Sequence, residues 1–354
     1  MDHSKKITYL FSVDALRIIA ILSVIAIHAS IVVLQNLNHD LTVGFASFFI
    51  NQIARFAVPL FFLISGFVLE LNYREKLSYF SFFKKRASRV LVPFIFWSFI
   101  YIIYSEGLGF LNHLDLNLVY FILQGNASYH LYFIPILILF YLAFPFFHNF
   151  LGILKKPIAI FSIIFAQTYL LYVDYYIKNL SMNQNLRIAL LSFSMFILGM
   201  VASHNKERIL FFVRKNLLLV ICLFIALLFF VPLHVFSLSR VHQTSKYIYN
   251  QYHPLNYFYT VVFAALFFYI LEKTQFAKKT LIELSKLSFF VFFVHVLVQY
   301  LFWNSIVVPL MELTGKAILT TFWFTPLLFL SISTISFSIA FVIHKIPNLS
   351  KVTG

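Results

Sequence analysis

Residues 15–34 read ALRIIAILSVIAIHASIVVL and contain one full charge, Arg17. A run of about 20 apolar residues is what a ~30 Å hydrocarbon core requires of a single crossing. That core holds no water, so a crossing backbone satisfies its own polar groups as a helix or within a closed barrel. The run is long and lacks strict apolar/polar alternation, which selects the helix. The rest of the chain is built in the same way. Of its 354 residues 61% are hydrophobic and only 11% are charged, against about 25% charged in a soluble domain. Mean hydropathy is +0.89. The expected fold class is all-α: a polytopic membrane helical bundle forming a single domain over residues 1–354.

Ten crossings are expected, at roughly 9–34, 43–70, 90–105, 129–150, 157–174, 186–202, 216–236, 254–272, 286–303 and 317–344. Residues 116–123 read as a re-entrant or interfacial piece. No internal repeat and no appended soluble domain is visible. Met1 to Lys6 leads into a run too long for a cleaved leader, so the first helix is expected to be retained.

Charge gives the bundle a direction. Twenty of the 27 Lys and Arg residues fall on the side that holds the N-terminus and five on the other, while Arg17 and Arg55 lie inside spans. Basic residues collect on the cytoplasmic side of membrane proteins, so both termini are expected in the cytoplasm and the chain in the plasma (cytoplasmic) membrane as a multi-pass protein. The net charge of +15 is spent on this asymmetry. Membrane lipids are therefore expected partners and nucleic acid is not. A homo-oligomer is allowed but not indicated. Cys222 is the single cysteine and lies in an apolar run, which excludes a disulfide framework or a thiolate metal site. With no His-Glu-x-x-His pattern either, no metal is expected. The longest outer segment, 237–254, carries His242, Gln243, Tyr247, Tyr249, Asn250, Tyr252 and His253, a composition suited either to sugars or to interfacial anchoring.

The polar residues inside spans carry the functional information. Arg17 and His28 are eleven residues apart, about 20° beyond three full helical turns, which places them on one face about 16 Å apart along the axis. Asp14 stands one turn before Arg17 and can pair with it. An arginine in a span costs roughly 2.5–3.5 kcal/mol on insertion scales, so Arg17 either snorkels to inner headgroups or faces a protein-lined cavity. Arg55 sits mid-span, one turn from Asn51, and should face the bundle interior to bind substrate or to pair a carboxylate. Histidine readily takes and returns a proton near neutral pH. His28, His130 and His295, the last with Gln299 one turn on, are candidates for that work or for hydrogen-bonded packing. At the inner side Arg86 and Arg89 are one turn apart and can converge on one anion, a phosphate by preference. The ordinary alternative is a basic flank meeting anionic lipid. Ser65 and Gly66 are read as ending an apolar helix near the cytoplasm, for close backbone approach of a ligand or for helix packing.

Taken in order, these residues resemble the acyltransferase 3 family of integral membrane acyltransferases. Asp14, Arg17 and His28 are similar to its Arg-x10-His signature with the preceding Asp. The stretch Arg55 to Gly66 resembles its second helix. Arg86-Ala87-Ser88-Arg89 with Pro93 resembles its Arg-x-x-Arg element. His130-Leu131-Tyr132-Phe133 is similar to its His-Leu-Trp-Phe element, with Pro145 beyond. Ser288-Phe289-Phe290 through His295 resembles its late Ser-Phe…His helix. Glu70, Tyr132 and the single proline at Pro93 depart from the usual pattern.

The resemblance implies a stand-alone surface-polysaccharide O-acyltransferase, of the subgroup that includes proteins of the intercellular-adhesin type. Acyl-CoA, most often acetyl-CoA, would be the cytoplasmic co-substrate. Arg86 and Arg89, with Ser65 and Gly66, would bind it, and Arg17 would stand at the inner mouth. The acceptor would be a hydroxyl of a cell-surface glycan or lipid-linked sugar on the outer side. His28, Arg17 and Asp14 would be the catalytic residues, with His28 serving either as general base or as acyl carrier. Arg55, Asn51, His130, His295 and Gln299 would line the substrate cavity. An exporter of polysaccharide or lipid-linked sugar is the alternative; such transporters often show matching broken halves, and none is visible.

Overall fold

The structure is a computed structural model that describes residues 10–109, 115–177, 181–242, 252–274 and 277–346. Among the described residues there is no strand. The helices are α1 Phe11–Asn36, α2 Phe45–Ile53, α3 Ala57–Tyr73, α4 Tyr79–Arg86, α5 Val92–Glu106, α6 Leu116–Leu123, α7 Phe133–Asn149, α8 Leu151–Leu154, α9 Pro157–Tyr172, α10 Gln184–His204, α11 Lys206–Lys215, α12 Leu217–Val241, α13 Pro254–Thr274, α14 Lys278–Phe302, α15 Val308–Thr314 and α16 Phe324–His344. Among the described residues nine helical stretches are long and apolar enough to cross a membrane, and α7 is a shorter tenth apolar helix.

Several boundaries differ from the sequence expectation. The second crossing is broken. Pro59 has no N–H to give to the carbonyl four residues back, that of Arg55, and its ring crowds that carbonyl. The chain turns at Ala54–Phe56 instead, closing with Arg55 N to Gln52 O at 3.2 Å and Ala57 N to Ala54 O at 3.1 Å. The third crossing is longer than expected: α4, a five-residue π-helical turn over Ala87–Leu91 and α5 run on as one helical stretch. The ninth begins at Lys278 and continues into α15, and the tenth begins at Phe324 after a short 3₁₀ turn. Residues 116–123 form the short exposed α6, capped by the Asp115 carboxylate accepting from Leu118 N at 3.0 Å.

The first helix is the hub. It packs against α2, α3, α13, α14 and α16, which is why a helix meant to span lipid buries so many of its residues. The closest crossing is α3 on α10. A Cβ built on Gly66 would lie 1.9 Å from Phe196 O, and one built on Gly199 would lie 1.9 Å from Leu63 O. Two glycines thus let main chain meet main chain, the small-residue packing that bilayers favour where no hydrophobic force drives helices together. Ser65 and Gly66 therefore lie mid-helix, not at a helix end. By contrast only 22% of α9 and of α12 is buried inside the protein; these are peripheral helices whose apolar sides suit lipid.

Candidate active site

Two polar assemblies flank α1, one near its start and one around His28. The first is a cavity of about 910 Å³ at the basic end of the bundle. Arg17, Arg86, Arg89 and Lys286 line it together with one carboxylate, Asp14. Asp14 is buried; its Oδ1 accepts from Arg17 Nη1 at 3.0 Å and from Ser285 Oγ at 2.8 Å. Those bonds fix Arg17 in the wall, where its side chain keeps 33% exposure. Arg86 lies over three rings, 5.6 Å from Tyr141, 5.7 Å from Phe82 and 6.0 Å from Tyr73. Such stacking holds a guanidinium without neutralising it. The π turn Ala87–Leu91 follows Arg86 directly and changes the helical phase between the two arginines, yet both reach the same cavity. π turns of this kind are frequent at functional sites. Ser65, Ser88 and Ser288 add hydroxyls to the lining.

The second assembly holds His28, His130 and His295. Ring centroids are 5.3 Å apart for His28 and His295, and 5.2 Å for His130 and His295. His130 is set by the turn before α7. Gly125, at φ +76°, lets that turn fold onto Leu131 and Tyr132, whose backbone would stand 2.8 Å from a Cβ there. His295 Nδ1 donates to Val291 O at 3.0 Å, so in its neutral form Nε2 is the acceptor. His295 Nε2, His130 Nε2 and Gln299 Oε1 are all buried without a partner among the described residues. His28 differs in being only half-buried, whereas His130 and His295 are fully buried. Its ring meets the edge of Tyr129 at 4.9 Å, and Tyr129 leads to Tyr300 at 6.2 Å and on to Tyr104, stacked at 5.7 Å. Tyr129 and Tyr104 are 47% and 41% exposed, so this row connects His28 to the surface.

Asn51 and Arg55 brace the same turn of α1. Asn51 Nδ2 donates to Ile27 O at 3.2 Å and to Ser30 Oγ at 3.0 Å. Its Oδ1 accepts from Arg55 Nε at 3.0 Å and Nη2 at 2.7 Å. Gln299 Nε2 reaches the His28 carbonyl at 3.3 Å. The turn around His28 is therefore held from α2 and from α14.

A phenylalanine layer separates the two assemblies. Phe61, Phe133 and Phe292 line the cavity. Phe133 stacks on Phe62 at 4.9 Å and meets Phe292 at 5.4 Å, and Phe292 in turn lies 5.3 Å from His130. Sequence spacing suggests one open face from Arg17 to His28. The structure interrupts it with these rings: Arg17 lines the cavity and His28 does not.

The predicted residues thus divide into two groups. Asp14, Arg17, Ser65, Arg86 and Arg89 share the cavity, while His28, His130, His295, Gln299, Asn51 and Arg55 gather beyond the rings. Gly66 belongs to neither; it faces α10. Sequence reasoning missed Ser285, which stands opposite Asp14, and Glu70. Glu70 is a buried carboxylate holding His148 Nδ1 and His204 Nε2 at 2.8 Å each. An acid inside an apolar run is a signal that could have found it, since a buried charge needs partners. Arg74, from the basic flank, donates to Ser203 O at 2.7 Å and is structural. Of the outer segment, Gln243, Tyr247, Tyr249 and Asn250 lie outside the described residues; His253 is buried, with Nε2 3.0 Å from Tyr176 Oη.

Comparison with known proteins adds an independent finding. The acyltransferase domain of the acyltransferase 3 family matches residues 10–345. Among curated proteins the chain is similar to the "Probable poly-beta-1,6-N-acetyl-D-glucosamine export protein" of Staphylococcus aureus strains MSSA476, MW2 and N315. The identity is 28% over 193 residues, covering 51% of this chain and 53% of each relative. The chain thus spans about half the length of the curated relatives it matches. No solved structure matches it. With a family match over nearly all of its length, this multi-pass membrane protein belongs to the acyltransferase 3 family.

Proposed function

We propose that the protein is an acyl-CoA-dependent O-acyltransferase that carries an acyl group, acetyl foremost, to a hydroxyl of an extracytoplasmic cell-surface glycan or lipid-linked sugar. The family makes it a membrane acyltransferase; donor and acceptor are our reading. The observation that carries the reading is the shared cavity of Arg17, Arg86 and Arg89 at the basic end, with His28 on the same helix beyond a phenyl layer. Three guanidinium groups in one cavity suit the phosphates of CoA. The slender pantetheine arm would displace the Phe133 and Phe292 rings to bring its thioester to His28. The tyrosine row Tyr104, Tyr300 and Tyr129 would guide the acceptor from the other side, ring faces meeting the apolar faces of a sugar.

Two chemistries fit. In one, His28 takes the proton of the acceptor hydroxyl while its oxygen attacks the thioester carbonyl. In the other, the imidazole attacks first, forms a C–N bond to the acyl carbon and gives up its ring proton to the thiolate; the acceptor oxygen then attacks, the C–N bond breaks and the hydroxyl proton returns to the imidazole. In both, the C–S bond breaks, the CoA thiolate leaves and takes up a proton, and an ester C–O bond forms. Arg55 and Asn51 act as positioning residues, since they hold the α1 turn that carries His28.

An exporter is the second reading, and the name of the Staphylococcus relatives is what favours it. That name also makes a polymer of N-acetylglucosamine the first acceptor to try. Purified protein would be given labelled acetyl-CoA and this glycan, with His28→Ala as control. Transfer of label by the wild type, lost in the variant, supports the enzyme. Glycan crossing vesicle membranes independently of His28, with no donor consumed, makes the protein an exporter.

A further inference from the structure

A second cavity, of about 610 Å³, opens on the flank of the bundle away from the arginine-lined one. Its back wall is Val13 and Leu16 of α1 with Ile64 and Phe67 of α3; its sides come from α9, α10, α11, α12 and α13. Apart from Tyr257 the walls are hydrocarbon or phenyl. Polar residues occur only at one end, where Asn205, Lys206 and Arg208 stand at the junction of α10 and α11. That end is the basic end of the bundle, which the charge bias assigns to the cytoplasm. Lys206 has one acidic neighbour, Glu207, at 3.7 Å, and Glu207 is itself 85% exposed. Among the described residues no carboxylate pairs with Arg208.

A long apolar groove closed by two cations is complementary to an acyl chain ending in a phosphate. We propose that this groove binds one anionic glycerophospholipid of the cytoplasmic leaflet, an acyl chain lying between α9, α10 and α13 and the phosphate on Lys206 and Arg208. The site bears on the arginine cavity through shared helices. Val13 and Leu16 alternate with Asp14 and Arg17 on one α1 turn, and Ile64 adjoins Ser65. A lipid seated there braces the wall that carries the cavity's cations. The proposal stands apart from acyl transfer, because binding is read without any turnover.

The test is native mass spectrometry of the purified chain in mild detergent, with phosphatidylglycerol or phosphatidylcholine of identical acyl chains added. The wild type is expected to retain one phosphatidylglycerol in preference to phosphatidylcholine. Lys206→Gln with Arg208→Gln should remove the preference, by about fivefold per charge lost. Ala265→Trp, which fills the groove, should reduce retention of both lipids. Arg214→Gln with Lys215→Gln lies on the same helix but outside the groove lining and should leave the preference intact. Size-exclusion profiles matching wild type establish that each variant is folded. Equal retention of both lipids by the wild type would overturn the site. So would a loss of preference in the Arg214/Lys215 variant as large as in the Lys206/Arg208 one, since that reports surface attraction to the whole helix.

Discussion

Substituting Gly66 by Ala tests the close crossing of α3 and α10. The new Cβ would fall 1.9 Å from Phe196 O, where ordinary contact begins at 3.4 Å. The obstacle is a helix carbonyl, and no rotamer change can move it. The two helices must therefore part by about 1.5 Å, and overpacking of this kind costs ~1–3 kcal/mol. Main-chain opposition puts Gly66→Ala near the upper end, at about 3 kcal/mol. Against it stands a helix-propensity gain of about 1 kcal/mol for replacing Gly by Ala. The clash wins, leaving a net loss of about 2 kcal/mol, or roughly 30-fold in the unfolding equilibrium. The assay is unfolding in mixed micelles by titrated SDS, followed by circular dichroism. Gly152→Ala is the control: nothing lies within 4 Å of a Cβ there, so only the propensity gain remains. Adding Gly199→Ala should cost less in the Gly66→Ala background than alone, because the helices have already parted. A Gly66→Ala protein as stable as wild type, or an additive double variant, would refute the crossing.

Three further outcomes follow from the site and its surroundings. Arg86→Ala should raise the KM for acyl-CoA roughly 10–100-fold, the worth of one charge-assisted hydrogen bond; Arg86→Lys should recover only part of this, since a lysine cannot reproduce the stack on Tyr141. Asp14→Asn keeps an Oδ1 acceptor for Ser285 but removes the charge that pairs Arg17, so it should raise the donor KM by freeing Arg17; initial-rate kinetics separate this from a change in kcat. His253 is held down to about 3 from its ordinary 6.5, by burial first and then by the neighbouring His234. Below pH 6.5 the unfolded chain therefore binds a proton that the folded chain refuses. Stability should fall as pH drops from 6.5 toward 3, and His253→Gln should flatten that slope in the same SDS titration.

Much of the architecture can be read from the sequence because hydropathy and charge asymmetry act locally. A twenty-residue apolar run has few options in a bilayer. What could not be read are the effects of proline phase and tertiary contact. The second crossing is one apolar run by composition, and only the carbonyl four residues before Pro59 shows why it breaks at Arg55. Gly66 looks equally suited to a ligand and to a neighbour until Gly199 appears opposite it. The π turn that follows Arg86 and contains Arg89 has no signature in Ala-Ser-Arg-Val-Leu. The helical arithmetic placed Arg17 and His28 on one face, but the rings between them come from α3, α7 and α14, which no spacing along α1 reveals. Ser285 meets Asp14 across 271 residues, and such partners emerge only when the helices are assembled.

We propose that an acyl group passes from a donor held by Arg17, Arg86 and Arg89 to an acceptor through His28. The decisive measurement uses oriented proteoliposomes, with labelled acetyl-CoA supplied on one side and glycan on the other. Label should reach the glycan only when donor is on the side that carries Arg86 and Arg89. His28→Ala should abolish transfer while leaving acetyl-CoA binding within about twofold, as expected for a group that acts on the reacting atoms alone. Transfer that is indifferent to the side of the donor, or that persists in His28→Ala, would rule out this route.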